Sequence, residues 1–164
     1  MKDLILIFVI FFVFISKNIK SENTVEYIME GSATTYIKSF KLSNGSEFST
    51  FESKGSWTDN FGNYGKNLCK GVIDKGINNN VSLIVMCEST DKNGYKTWAL
   101  NKRDGEFVGG VGANEIVDTT IPKKNLYIGT KCKFAIKYLD EINFYKNKCK
   151  ISKELARVFE KMSR

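Results

Sequence analysis

The sequence predicts an all-β fold: an antiparallel up-and-down barrel of about eight strands with a short C-terminal helix, a two-sheet sandwich being the alternative. Three observations predict it. Short segments rich in Val, Ile, Thr and aromatic residues recur along the chain, separated by Asn-Gly, Asp-Gly and similar turn pairs. Proline occurs once, at Pro122, so little interrupts a hydrogen-bonded ladder. Four cysteines are placed in mirror symmetry about two turns, as cross-strand pairs in hairpins would be. Closure into a barrel hides the two sheet edges that would otherwise invite aggregation.

Residues 1–21 read as a signal peptide. Lys2 supplies a positive start and Leu4 to Ile15 is an unbroken apolar run, short for a membrane span of roughly 20 residues. Cleavage is expected after Ser21. That leaves residues 22–151 as the barrel domain and 152–164 as a C-terminal helix or tail, with no stable membrane span after cleavage.

Val25 to Glu30 sets charged Glu26 and Glu30 against Tyr27 and Met29, the period of a half-buried strand. Ser32 to Leu42 follows, and Asn44-Gly45 predicts a type I′ hairpin into a strand over 46–53. Gly55-Ser56-Trp57 leads to a loop over 59–65. Leu68 to Asp74 and Val81 to Ser89 form the first cysteine hairpin, about Asn78. Asn93-Gly94 and Asp104-Gly105 are further turn signals, flanking a strand around Trp98. Gly109-Gly110-Val111-Gly112 predicts a bulge or a close backbone approach. Pro122 reads as loop or edge.

Leu126 to Tyr138 reads as a strand with Cys132, Phe134, Ile136 and Tyr138 on one face and Lys131, Lys133 and Lys137 on the other. It returns through Ile142 to Ile151. Over 152–164, Leu155, Val158, Phe159 and Met162 form a helical stripe, with Ser152 as N-cap.

Four cysteines permit three pairings. Equidistance from a turn selects Cys69–Cys87, about Asn78, and Cys132–Cys149, about Asp140-Glu141. Each bridge closes a loop worth about 3 kcal/mol in the chain-entropy model. The second hairpin contains a conflict. Unbroken symmetry puts Lys133 opposite Lys148 and Lys131 opposite Lys150, and like charges destabilise facing strands. It also leaves Phe144 on the lysine face, so a one-residue bulge is expected to swing Phe144 inward.

Histidine is absent, which removes the usual general base near neutral pH, the serine–histidine and cysteine–histidine machinery, and imidazole metal sites. No Cys-x-x-Cys spacing exists. No metal and no cofactor are therefore expected, and no catalytic residue is assigned. Asp59, Asp91, Asp104, Glu106 and Asp118 are the carboxylates a histidine-free enzyme would use. Lys102-Arg103-Asp104-Gly105 reads as a solvated turn. The formal charge of +7 permits attraction to anionic surfaces. The export segment and the lack of aromatics interleaved with the lysines argue against nucleic acid.

Gly55-Ser56-Trp57 is similar to the Gly-x-Trp motif of the calycins, the lipocalin- and avidin-like barrels, and Asp59-Asn60-Phe61-Gly62 resembles the loop that follows it in avidin-like chains. In calycins the motif lies on the first strand; here it follows two predicted strands, and no ligand-binding residue is carried over. Over most of residues 22–164 the chain also resembles small secreted proteins of marine alphaproteobacteria. That resemblance rests on Gly55 to Gly65, Gly109 to Gly112, Lys131-Cys132-Lys133 and Lys148-Cys149-Lys150. Such proteins carry a glycine-lysine turn near 119–125, where this chain has Thr119-Thr120-Ile121-Pro122-Lys123-Lys124. The resemblance implies a β-barrel and a periplasmic or extracellular location, and no activity.

The expected function is non-enzymatic binding of a small apolar ligand or an envelope component, with Trp57, Trp98, Phe107, Phe134 and Tyr138 as pocket candidates. An allene-oxide-cyclase-like barrel enzyme and a structural or inhibitory surface protein are the other two classes. Interior volume, and what lines it, discriminates among them.

Overall fold

The computed structural model describes residues 23–106 and 109–164; residues 1–21, expected to be a signal peptide, and Phe107 lie outside the described residues. Eight strands follow one another around a closed antiparallel barrel: β1 (Thr24–Lys41), β2 (Glu47–Asp59), β3 (Tyr64–Lys75), β4 (Val81–Asp91), β5 (Lys96–Gly105), β6 (Gly109–Thr119), β7 (Lys131–Leu139) and β8 (Ile142–Ser152). The sandwich alternative is thereby excluded. Helix α1 (Lys153–Met162) follows β8 directly.

The two segments expected as separate strands before Asn44 are one long strand, β1. Its first half pairs with β8, from Thr24↔Ser152 to Thr34↔Ile142. Its second half pairs with β2, from Met29↔Asp59 to Lys41↔Glu47. This offset use of one strand closes the barrel with a stagger. Tight coiling there requires glycine. A Cβ on Gly31 would sit 2.1 Å from the Ser56 carbonyl oxygen, and one on Gly55 would sit 2.0 Å from that of Ser32.

Four of the hairpin tips share one geometry. At Leu42–Ser46, Asp59–Asn63, Gly76–Asn80 and Asp91–Tyr95 the first N–H donates to the fifth carbonyl, and the fourth N–H donates to the first. The fourth residue is left-handed in each: Gly45, Gly62, Asn79 and Gly94, with φ of 86°, 87°, 61° and 84°. These are three-residue loops, a type I turn closed by a bulge, rather than the two-residue type I′ turn expected at Asn44-Gly45. Asn44 is not left-handed; its Oδ1 instead accepts from the Ser46 N–H at 3.0 Å.

Both cysteine pairs form the disulfides that symmetry selects, with Cα atoms 4.0 Å apart for Cys69–Cys87 and 4.4 Å for Cys132–Cys149. The expected bulge in the last hairpin is absent. Lys133 faces Lys148, Lys137 faces Phe144, and Phe144 points outward, half exposed. The charge conflict is relieved from the other side of β8. On β1, Glu30 meets Lys146 at 2.9 Å and Glu26 meets Lys148 at 3.4 Å. Across β7, Glu115 of β6 stands opposite Lys131. The register shift in this sheet lies between β5 and β6, at Trp98/Ala99. The glycine run does give a close approach: a Cβ on Gly112 would meet the Phe134 ring at 2.4 Å. Residues expected to begin β7 early form instead a 3₁₀ turn, Lys124–Leu126, and tuck Tyr127 under the helix.

Helix α1 plugs one end of the barrel. Ser152 Oγ accepts from the Leu155 N–H at 3.1 Å, as an N-cap should, and Leu155, Ala156 and Phe159 are buried. The carbonyls at its C-terminal end accept from the hairpin tips, Phe159 O in addition to the Ser163 N–H it accepts at 3.1 Å. Asn63 Nδ2 donates to Phe159 O at 3.2 Å, Asn93 Nδ2 to Met162 O at 3.1 Å and Lys92 Nζ to Ser163 O at 2.6 Å. Beneath it Tyr27, Phe61, Tyr127 and Phe159 form one aromatic cluster, with centroids 4.9 Å apart for Tyr27–Phe159 and 5.3 Å for Tyr127–Phe159.

Candidate ligand cavity inside the barrel

Successive residues of each strand alternate between wall and solvent. The inward set can be counted from the cysteines: Asn67 from Cys69, Ser89 and Asp91 from Cys87, Asn147, Tyr145 and Asn143 from Cys149. All eight strands contribute to an axial cavity in two lobes, of about 80 Å³ in mid-barrel and about 50 Å³ toward the helix. The lobes share Met29, Ser89, Ala99, Asn114 and Asn147 in their walls. A water needs roughly 10–15 Å³ of such space, whereas drug-sized ligands occupy pockets of roughly 300–1,000 Å³. The interior is neither solid nor roomy; it fits a few waters or one small molecule.

The mid-barrel wall has apolar residues on β2, β4 and β7: Phe51, Leu83, Val85, Phe134 and Ile136. Interleaved with them, on β3, β5, β6 and β8, are five asparagines: Asn67, Asn101, Asn114, Asn143 and Asn147. Asn143 Nδ2 donates to Thr35 Oγ1 at 2.7 Å and to Ser53 Oγ at 3.0 Å. Asn114 Nδ2 donates to Asn147 Oδ1 at 2.7 Å, and Asn101 Nδ2 to the carbonyls of Ala99 and Val85. The amide oxygens of Asn67 and Asn114 are buried with no partner in the protein. A buried acceptor left bare costs about 1–3 kcal/mol. Asn114→Leu alone strands Asn147 Oδ1 but also removes the bare Asn114 Oδ1, so it should cost about 1 kcal/mol, the net worth of the lost hydrogen bond. The double variant Asn114→Leu/Asn147→Leu should return to wild-type stability or above, measured by urea unfolding.

Of the residues expected to line a pocket, Phe134 borders the mid-barrel lobe and Trp57 the lobe under the helix. Trp57 pairs with Gly65 across β2 and β3, and its indole donates from Nε1 to Lys66 O at 3.2 Å. Tyr138 is on the inner face but half-buried at the far end; burial raises its phenol pKa, and neighbouring Arg103 opposes that rise. Trp98 lies on the opposite face from Thr97 and Ala99, which line the cavity. It donates to Glu88 Oε2 at 3.1 Å, and the Lys96 ammonium on that carboxylate holds its pKa down. Phe107 lies outside the described residues.

The carboxylates do not converge. Asp59 and Asp91 close separate hairpin tips, while Asp104, Glu106 and Asp118 are exposed. Arg103 departs from the solvated turn expected of its neighbourhood. It is only 4 % exposed and points inward, donating from Nη1 to the carbonyls of Glu106 and Gly109 at 2.5 and 2.6 Å. It braces the barrel end opposite the helix.

Burial raises the phenol pKa of Tyr27 well above the ordinary 10.0, reinforced by Tyr127 and Asp59, and burial raises that of Tyr127 as well. Unfolded phenols ionise near pH 10 while the folded ones stay protonated. The unfolded state then binds fewer protons, so stability is constant below about pH 10 and falls as pH rises through the raised values. The slope is about 1.4 kcal/mol per pH unit for each such tyrosine. Tyr127→Phe should flatten this alkaline decline in a urea series taken at several pH values.

No helix among the described residues is long and apolar enough to cross a membrane. No protein-family model and no curated protein matches the chain. Among solved structures it is similar to a conserved protein of unknown function from Rhodopseudomonas palustris, with a TM-score of 0.62 and 10% identity over 78% of this chain and 98% of that one. The likeness is one of fold.

Proposed function

We propose that this chain is a secreted, non-enzymatic binding protein whose barrel holds one small molecule in its axial cavity. The observation that carries the reading is the pair of unpartnered amide oxygens, Asn67 Oδ1 and Asn114 Oδ1, beside the mid-barrel lobe. Sequences break their own packing rules chiefly where function requires it. An interior filled with Leu and Val would be more stable than one with five asparagines. The ligand is small and amphipathic, with N–H or O–H groups for the bare oxygens and an apolar part for Phe51, Leu83 and Phe134. This narrows the apolar ligand expected from the aromatic content.

Carboxylates that stay apart support binding over acid–base catalysis. The two disulfides accord with an oxidising compartment, and hence with the periplasmic or extracellular location expected of residues 1–21. Ala99 faces both lobes, so Ala99→Leu fills space that the ligand would need. It should raise apo stability by about 1 kcal/mol and abolish binding of a small alcohol probe such as 1-propanol in NMR titration. Unchanged 1-propanol binding to a folded Ala99→Leu variant would count against the cavity as the site.

A further inference from the structure

The helix-side lobe carries chemistry that the mid-barrel lobe lacks. Its wall includes five aromatic residues, Tyr27, Trp57, Tyr95, Tyr127 and Phe159, together with Asp91. Asp91 is 9 % exposed. Its Oδ1 accepts the N–H groups of Asn93 and Tyr95 at 2.9 and 2.8 Å, while its Oδ2 is buried with no partner. Neither lobe has a lysine or arginine in its wall. The nearest lysines in sequence are engaged elsewhere: Lys92 Nζ on Ser163 O at 2.6 Å and Lys96 Nζ on Glu88 at 2.8 Å. In a chain of net charge +7, the walls of the two lobes thus hold one carboxylate and no cationic side chain.

From this juxtaposition we infer that the helix-side lobe binds a small organic cation, an alkylammonium carrying at least one N–H. The ammonium N–H donates to Asp91 Oδ2, the aromatic walls face the positive charge, and the alkyl chain runs toward Met29 and Ala99 between the two lobes. A desolvated cation is attracted to aromatic faces by roughly 2 kcal/mol or more, and a buried carboxylate oxygen is satisfied by the same group. A neutral alcohol of the same length satisfies the oxygen but leaves the negative charge of Asp91 unbalanced. The lobe's volume of about 50 Å³ suits a chain of a few carbons. This inference rests on the barrel being a small-ligand binder.

The test is calorimetric titration of the disulfide-intact protein, in an amine-free phosphate buffer, with propylammonium chloride and with 1-propanol. Propylammonium should bind at least ten times more tightly than 1-propanol. Asp91→Asn keeps the Oδ1 bonds of the hairpin tip, and should bring the two probes within threefold of each other. Equal affinities in the wild-type protein would overturn the cation and leave the binding cavity standing. Binding of neither probe to the folded protein would overturn both. Should Asp91→Asn not fold, the ratio of the two probes on wild-type protein decides alone.

Discussion

Phe159→Ala is expected to lower unfolding free energy by about 4 kcal/mol, the range for emptying a buried phenylalanine site. Phe159 sits at the centre of the plug, in contact distance of Tyr27, Phe61 and Tyr127 at once. Its removal leaves a void that those rings cannot close, because their backbones are fixed in different elements. The same residue supplies the carbonyl that Asn63 caps, so the hairpin tip loosens with the helix. The consequence is local as well as global. Amide exchange should accelerate over α1 and the Asp59–Asn63 tip more than over β3 and β4. Chemical denaturation gives the first number and hydrogen exchange the second.

Cys132→Ala/Cys149→Ala is expected to cost about 3 kcal/mol from the lost cross-link, and more from the two buried sulfurs. Both lie in the helix-side core, packed with Ile151 and Leu155. Cys69→Ala/Cys87→Ala should cost less. Its bridge borders the mid-barrel lobe, and Cys87 is only partly buried. In each case the denaturant m-value should rise, because a cross-link acts mainly on the unfolded chain and its removal exposes more surface. An unchanged m-value with a full loss of stability would place the effect in native packing instead.

The architecture was legible because its determinants are local. Turn pairs mark hairpins, and cysteines equidistant from a turn must face each other. The loop at Asn44-Gly45 was misread because the same dipeptide serves two-residue and three-residue loops; only the left-handed Gly45 is common to both. The bulge expected at Phe144 was a local argument about a non-local balance. Lys146 and Lys148 meet carboxylates from β1, more than a hundred residues earlier, and that pairing exists only once the barrel closes. Leu126 to Ile128 has the composition of a strand but is needed as a lid beneath α1.

Much of the candidate site escaped because the pocket was sought among aromatic residues, with no role given to Asn67, Asn101, Asn114, Asn143 or Asn147, and because Arg103 reads as part of a solvated turn. Counting by twos from Cys69, Cys87 and Cys149 would have placed Asn67, Asp91 and Asn147 inside, and the same parity sends Trp98 out. What no sequence pattern held is the bare oxygen on Asp91 or Asn114. That depends on which donors other strands bring near, a property of the closed barrel alone.

The axial cavity as a ligand site is tested most directly by native mass spectrometry of the protein purified, disulfides intact, from the cells that make it. The wild-type protein should carry a non-covalent adduct of low mass that is missing from the equally folded Ala99→Leu variant. A bare polypeptide mass for both proteins, or an adduct that Ala99→Leu retains, would contradict the cavity as the ligand site.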